Sequence, residues 1–97
     1  MAKVRHSVGA RADLRRIWRF IALDNEAAAD KLLLRIEQRI SMLADFPESA
    51  PPRDDIRPGF RMLVFVGYRV IYEYTAATNT VEIIAVVEPY RDLDNLF

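Results

Sequence analysis

The sequence contains no cysteine, one histidine, one tryptophan and three glycines, and its 14 Lys and Arg side chains are matched by 14 Asp and Glu. Each shortage excludes a kind of chemistry. Without cysteine there is no disulfide scaffold, no thiolate zinc site and no thiol nucleophile, a composition that fits a reducing compartment. With His6 as the sole imidazole, a Ser-His-Asp arrangement would need Ser7, Ser41 or Ser49 to meet it beside a carboxylate, and no nucleophile-elbow spacing supports that. One histidine among scattered carboxylates makes neither a zinc triad nor a calcium loop, so no metal and no cofactor is expected. Gly9, Gly59 and Gly67 stand apart, which removes a glycine-rich phosphate cradle. The longest apolar runs, such as 62–66 and 83–87, fall far short of the roughly 20 residues of a membrane span, and no apolar leader follows the first basic residues. A cytoplasmic protein with no membrane partner is the expectation.

What is present is a chain of 97 residues, 52% of them apolar, far from the composition that keeps segments disordered. Its length suits one domain, residues 1–97, with one modest core. After an opening segment over 3–7, Leu14, Ile17, Trp18, Ile21 and Ala22 recur with the period of a one-striped helix, and Ser7 can cap its start. Asp24-Asn25 offers a break and the next cap. A second helix carries Ala29, Leu32, Leu33, Ile36, Ile40 and Leu43 inward and ends before Pro47. So short a connection makes an antiparallel helical hairpin. The stretch 47–59 holds four of the five prolines and reads as a stiff loop.

Beyond it the period changes to two and β-branched and aromatic residues crowd in, predicting strands over 60–66, 69–75 and 80–88 joined by short turns. The expected fold is α+β and two-layered: a helical hairpin packed on one face of an antiparallel sheet, in the order β-α-α-β-β-β. Alternation suggests that Phe60, Met62, Val64, Val66, Val70, Tyr72, Tyr74, Val81, Ile83, Ala85 and Val87 face the helices. The opposite face would then carry Leu63, Phe65, Ile71, Ile84 and Val86, rimmed by Arg61, Arg69, Glu73, Glu82 and Glu88. Five apolar side chains on a face without helices need a cover. Either the C-terminal tail folds back with Leu93, Leu96 and Phe97, or a partner protein binds there, its register set by the charged rim.

Charge is unevenly spread: residues 1–20 hold six basic side chains against Asp13, while residues 82–97 hold four acids against Arg91. Arg11, Arg15 and Arg19 recur at i, i+4 and i+8 on one helix face, either a solvated surface or a landing site for an acidic segment. The split balance argues against direct sequence-specific nucleic-acid binding. Asp54-Asp55, between Arg53 and Arg57, suit loop solvation better than acid-base work.

Several stretches together resemble one family. The segment Ser7-Val8-Gly9-Ala10-Arg11-Ala12-Asp13-Leu14 with Ile17-Trp18 and Ile21-Ala22 is similar to the opening of ParE toxins of the RelE/ParE superfamily. Ala28-Ala29-Asp30, Leu43-Ala44-Asp45-Phe46-Pro47, Ile56-Arg57-Pro58-Gly59-Phe60-Arg61, Tyr68-Arg69-Val70-Ile71-Tyr72, Val81-Glu82-Ile83-Ile84 and Arg91-Asp92-Leu93 follow that family's pattern in order. The resemblance implies a bacterial type II toxin, not an enzyme, that poisons DNA gyrase and is silenced by a ParD-type antitoxin. It also implies that the first strand joins the sheet beside the last. On this reading Arg11, Arg15, Arg19, Arg57, Arg61, Leu63, Phe65, Ile71, Glu73, Ile84, Val86 and Glu88 would meet the antitoxin, and Arg91, Asp92, Leu93 and Phe97 the target. The superfamily also includes ribosome-dependent ribonucleases similar to RelE, which need a basic cluster. Here only Arg57, Arg61, Tyr90 and Arg91 remain, opposed by Asp54, Asp55 and Glu88. Where ParE toxins often carry a histidine near the end of the last strand, this chain has Val87-Glu88-Pro89-Tyr90. A non-toxic interaction module is the third alternative.

Overall fold

The computed structural model describes all 97 residues. A strand β1 (Lys3–His6) leads into helices α1 (Val8–Ala22) and α2 (Glu26–Ser41), a 3-10 turn (Met42–Ala44), strands β2 (Phe60–Phe65), β3 (Tyr68–Thr75) and β4 (Thr80–Val87), and a second 3-10 turn (Leu93–Asn95). Both helix starts are capped as expected: Ser7 Oγ accepts from the Ala10 N–H and Asn25 Oδ1 from the Ala28 N–H, each at 3.0 Å. Trp18 Nε1 donates to Asp30 Oδ1 at 2.8 Å, fastening the two helices side by side. The second helix stops earlier than Pro47 demands, because the chain tightens into the 3-10 turn that buries Leu43.

The sheet order is β1-β4-β3-β2. The last three strands form the expected antiparallel meander, while β1 lies parallel to β4, so the sheet is mixed. Ile17, Ile36, Ile40 and Leu43 from the helices pack with Val70, Tyr72, Val81, Ile83 and Val86 from the sheet, all nearly or wholly buried. Each such side chain contributes about 1.5–3 kcal/mol on leaving water.

The face assignment expected from apolarity alone is corrected by the register. Phe65 pairs with Tyr68 across a two-residue turn, so odd-numbered residues of β2 share a face with even-numbered residues of β3. Leu63 and Phe65 therefore point toward the helices, where they pack against the core, and Phe60, Met62 and Val64 lie on the opposite face with Ile71. A second shift follows in β4, where Ile83 pairs with Tyr72 and Ala85 with Ile71, leaving Ile84 as the extra residue of a bulge. Past it the alternation inverts: Val86 enters the core, and Ala85 and Val87 turn away.

The outer face is clothed by the chain itself. Phe97 meets Phe60 edge-on with ring centroids 6.3 Å apart, Arg53 Nη1 donates to Met62 Sδ at 3.3 Å, and Phe60, Ile71 and Val87 are buried. Leu93 and Phe97 line a cleft with Arg53 and Ile56. Of the two covers open to the sequence, the tail is the one realised over this part of the sheet. The patch of Leu63, Phe65, Ile71, Ile84 and Val86 does not exist as one exposed surface.

The proline-rich loop is stitched to the edge of β2. Met62 N–H donates to Pro51 O at 3.1 Å and Arg53 N–H to Phe60 O at 2.7 Å, while Arg61 donates to the carbonyls of Glu48 and Ala50. The buried Tyr72 hydroxyl accepts the Ala50 N–H at 3.3 Å. At the other end of β2 the turn Val66-Gly67 has positive φ at both residues, 50° and 81°. Glycine suits Gly67, whose φ of 81° lies in the left-handed region and where a Cβ would press on Pro89 at 3.0 Å. Val66 has a Cβ and is branched at it, and the left-handed region costs such a residue about 1–2 kcal/mol.

Two substitutions test the register. Leu63→Glu is expected to destabilise the fold by about 2–4 kcal/mol and Val64→Glu by only about 0.5 kcal/mol, measured by urea denaturation. The reverse order would restore the face assignment read from apolarity.

Candidate partner-binding surfaces

The first surface is the uncovered half of the β2 edge. Phe60 and Met62 turn their peptide groups outward to the loop, so by the period of two Val64 presents its N–H and C=O outward as well. The loop bonds end at Met62, leaving that half of the edge open to an added strand. Beside it lies a groove of about 500 Å³ lined mainly by Met42, Leu43, Ala50, Pro51, Leu63 and Val64. Arg39 forms one wall, its guanidinium 5.4 Å from the centre of the Phe65 ring. Met42 and Val64 are more than half exposed, so apolar area and unpaired peptide groups occur together.

The second arrangement is a charge cluster joining α1, β3 and the start of the tail. Glu88 is buried; Arg16 Nη2 donates to its Oε1 at 2.7 Å and Arg16 Nε to its Oε2 at 3.2 Å. Arg16 also donates to Asp13 Oδ1 at 2.8 Å, and Asp13 Oδ2 accepts the Val86 N–H at 2.9 Å, so one helical turn holds the strand after its bulge. Arg69 donates to the Glu88 carbonyl at 2.8 Å and to the Arg91 carbonyl, tying down the chain where it leaves β4. Burial by itself would raise the Glu88 carboxyl. The bonds from Arg16 and its own backbone and the charges of Arg16 and Arg91 outweigh it and hold Glu88 below the usual carboxylate range. The Arg16 guanidinium is raised in turn, chiefly by Glu88.

The residues singled out from sequence disperse over the molecule. Arg11, Arg15 and Arg19 are exposed on α1 without an ion pair, as is Arg57 in the loop. Arg61 is committed to the loop carbonyls and pairs with Glu48 at 3.4 Å. Leu63 and Phe65 face the helices, Ile71 and Val86 are wholly buried, and Ile84 is half-buried at the bulge. Glu73 is half-buried on the outer face, and Glu88, expected on a charged rim, is an internal anchor. In the tail, Arg91 lies 3.8 Å from Glu88, Asp92 Oδ1 accepts the Asp94 N–H at 3.0 Å, Leu93 is half-buried and Phe97 packs on Phe60. Arg61 is thus bound into the loop while Tyr90 and Arg91 gather at Glu88. His6 Nε2 lies 3.2 Å from Glu37 Oε1, and the Ser7 hydroxyl is used in bonds to Ala10 and Ile84.

Met42, Pro51 and Val64, which shape the groove, and Arg16, which holds Glu88, went unrecognised in the sequence. The Asp13-Arg16 spacing at i, i+3 was the one local signal, but nothing local links it to a residue in the last strand.

A helical hairpin packed on this mixed sheet is a fold shared with known toxins of toxin-antitoxin systems. The family model described as "ParE toxin of type II toxin-antitoxin system, parDE" matches residues 4–92. The chain belongs to that family and is a ParE/RelE-type toxin of a type II toxin-antitoxin system. Among proteins of curated function none matches significantly. A solved structure of the chromosomal ParDE system from P. aeruginosa superposes with a TM-score of 0.76 at 19% identity, covering 91% of this chain and 96% of that one. The toxin-antitoxin complex RelBE2 from Mycobacterium tuberculosis gives 0.67 at 22% identity over 90% of this chain and 96% of that one. The isolated E. coli RelE toxin gives 0.65 at 16% identity over 95% and 88%. At these identities the likeness establishes the fold. No helix is long and apolar enough to cross a membrane.

Glu88→Gln tests the charge cluster. Because the folded Glu88 has a lower pKa than the unfolded one, its contribution is present above the usual carboxylate range and is lost as pH falls through the folded value. The variant is expected to lose about 1–3 kcal/mol at neutral pH, limited by the partial exposure of Arg16. Its stability, followed by urea denaturation down to about pH 3, should fall less steeply than that of the parent.

Proposed function

We propose that this toxin inhibits growth through protein-protein contacts, without catalysis of its own, with DNA gyrase as its target, and that a ParD-type antitoxin neutralises it. The observation that carries the antitoxin reading is the open half of β2 beside an apolar groove. An extended antitoxin segment would pair with the outward peptide groups at Val64 and set alternate apolar side chains between Met42 and Pro51. Main-chain bonds then supply affinity and the groove supplies selection. The solved P. aeruginosa and M. tuberculosis relatives belong to ParDE and RelBE toxin-antitoxin systems, which supports a partner of this kind. The unpaired Arg11, Arg15, Arg19 and Arg57 would favour an acidic antitoxin by attraction at longer range.

The fold is shared with RelE, which makes messenger cleavage on the ribosome the reading to be tested against. Such chemistry asks for several cationic side chains converging on one phosphate. Arg61 is instead engaged by the Glu48 and Ala50 carbonyls and the Glu48 carboxylate, which counts against the cleavage reading.

Expression without antitoxin should arrest growth and accumulate gyrase-dependent DNA breaks, with messenger intact at the ribosome. Cleaved messenger without DNA breaks would reverse the choice of target, and unimpaired growth would leave an interaction module. For the antitoxin surface, Val64→Pro removes an outward N–H that the fold itself does not use, and Met42→Asp places a charge in the groove. Each should weaken binding of a ParD-type antitoxin at least tenfold in a titration while changing stability by less than about 1 kcal/mol.

A further inference from the structure

We infer that the end of the molecule formed by the Val66-Gly67 turn, Pro89-Tyr90 and the last turns of α1 is the surface that engages the toxin's target, and that its occupant is an acidic protein surface bearing an apolar anchor. The inference deepens the proposed function and rests on its premise that the chain acts on another protein.

Three observations converge there. Val66 is held at φ 50° and is 69% exposed, so the strain of a branched residue in the left-handed region is not offset by burial. The usual occupants of this turn position are Asn, Asp and Gly, which reach the conformation with less strain. An exposed valine in their place is apolar surface maintained at a cost to stability.

The turn does not stand alone. Gly67 approaches Pro89 so closely that a Cβ would be 3.0 Å from its ring, and the next residue, Tyr90, is 71% exposed with its ring 6.5 Å from that of Phe20. Phe20 is 63% exposed and Leu23, the C-cap residue just past α1, is 85% exposed. Exposed apolar side chains from three parts of the chain are thus gathered at this end: the Phe20–Tyr90 pair, Val66 in the turn that abuts Pro89, and Leu23 three residues beyond Phe20. It is also braced: the Tyr90 hydroxyl donates to Glu88 at 3.3 Å, and Glu88 is gripped by Arg16. The aromatic pair is therefore presented on a rigid support, at small entropic cost to a binding partner.

Charge specifies the occupant. Arg16, Arg19, Phe20 and Leu23 recur at i, i+3, i+4 and i+7 on one face of α1. The local acids Asp13 and Glu88 are already engaged by Arg16, and Glu88 also by Arg91, whereas Arg19 has no ion pair. An apolar centre with a rim of unspent arginine selects an acidic surface.

The test separates this surface from the fold and from the antitoxin site. Val66→Asn is expected to raise Tm by about 4–8 °C, since it relieves the turn, and to weaken growth arrest at least tenfold. Tyr90→Ser and Phe20→Ser should weaken arrest to the same degree, while Leu34→Ser, an equally exposed apolar site on α2, should not. All four should retain antitoxin affinity within about twofold, because the groove is untouched. Purified gyrase with supercoiled plasmid should show the same order of potency in trapped DNA cleavage. Full toxicity in Val66→Asn and Tyr90→Ser would overturn the inference while leaving the proposed function in place. An unmodified chain that arrests growth but ignores gyrase would move the surface to another acidic target, with the three variants still defective. An unmodified chain without toxicity would end both.

Discussion

A two-residue hairpin pairs residues of opposite parity, and the Val66-Gly67 turn imposes that rule on every apolar side chain of β2 and β3. Leu63 and Phe65 become core because Val70 and Tyr72 are core, and Phe60 and Met62 are sent to the other side with Ile71. The bulge at Ile84 then swaps the faces of β4, so that Val86 joins Ile83 inside. The sheet ends up apolar on both faces, and each face needs its own cover: the helical hairpin on one, and segment 53–56 with the tail on the other.

Keeping the second cover in place falls to electrostatics. The tail brings Phe97 onto Phe60, yet it is short and its hydrophobic contact is small. Glu88 and Arg69 fix its origin, the first through Arg16 and the second through two backbone carbonyls. An ion pair of this kind contributes more to defining one geometry than to raw stability, since desolvation offsets much of the Coulomb attraction. Its consequence is spatial. The same cluster that anchors the tail also orients Tyr90 toward Phe20, so the internal bracing of the sheet and the presentation of an external aromatic pair are one construction.

The two proposed surfaces differ in physical kind. Along β2 the resource is unpaired backbone beside a groove, which suits a segment that gains its structure on binding. At the hairpin end it is preformed aromatic and aliphatic side chains on rigid elements, which suits a folded target. A toxin that, as proposed, is held by one protein and acts on another has reason to keep such surfaces chemically distinct, because their specificities can then be set independently.

Sequence by itself determined the local elements: both helices with Ser7 and Asn25 as caps, the helical hairpin, the three strand segments, the proline-rich loop and the membership of a toxin superfamily. The elements follow from periodicity, capping and turn chemistry, which act within a few residues, and the superfamily from the resemblance of stretches spread over the whole chain. What only the tertiary structure decided is which face each strand residue occupies, that the tail covers the outer sheet, that Glu88 is an internal anchor rather than a rim charge, and where the edge stays open. Parity across a turn, a one-residue bulge and a salt bridge between Arg16 and Glu88 link positions far apart in the chain, and apolarity read along a single strand carries no information about the strand it will pair with.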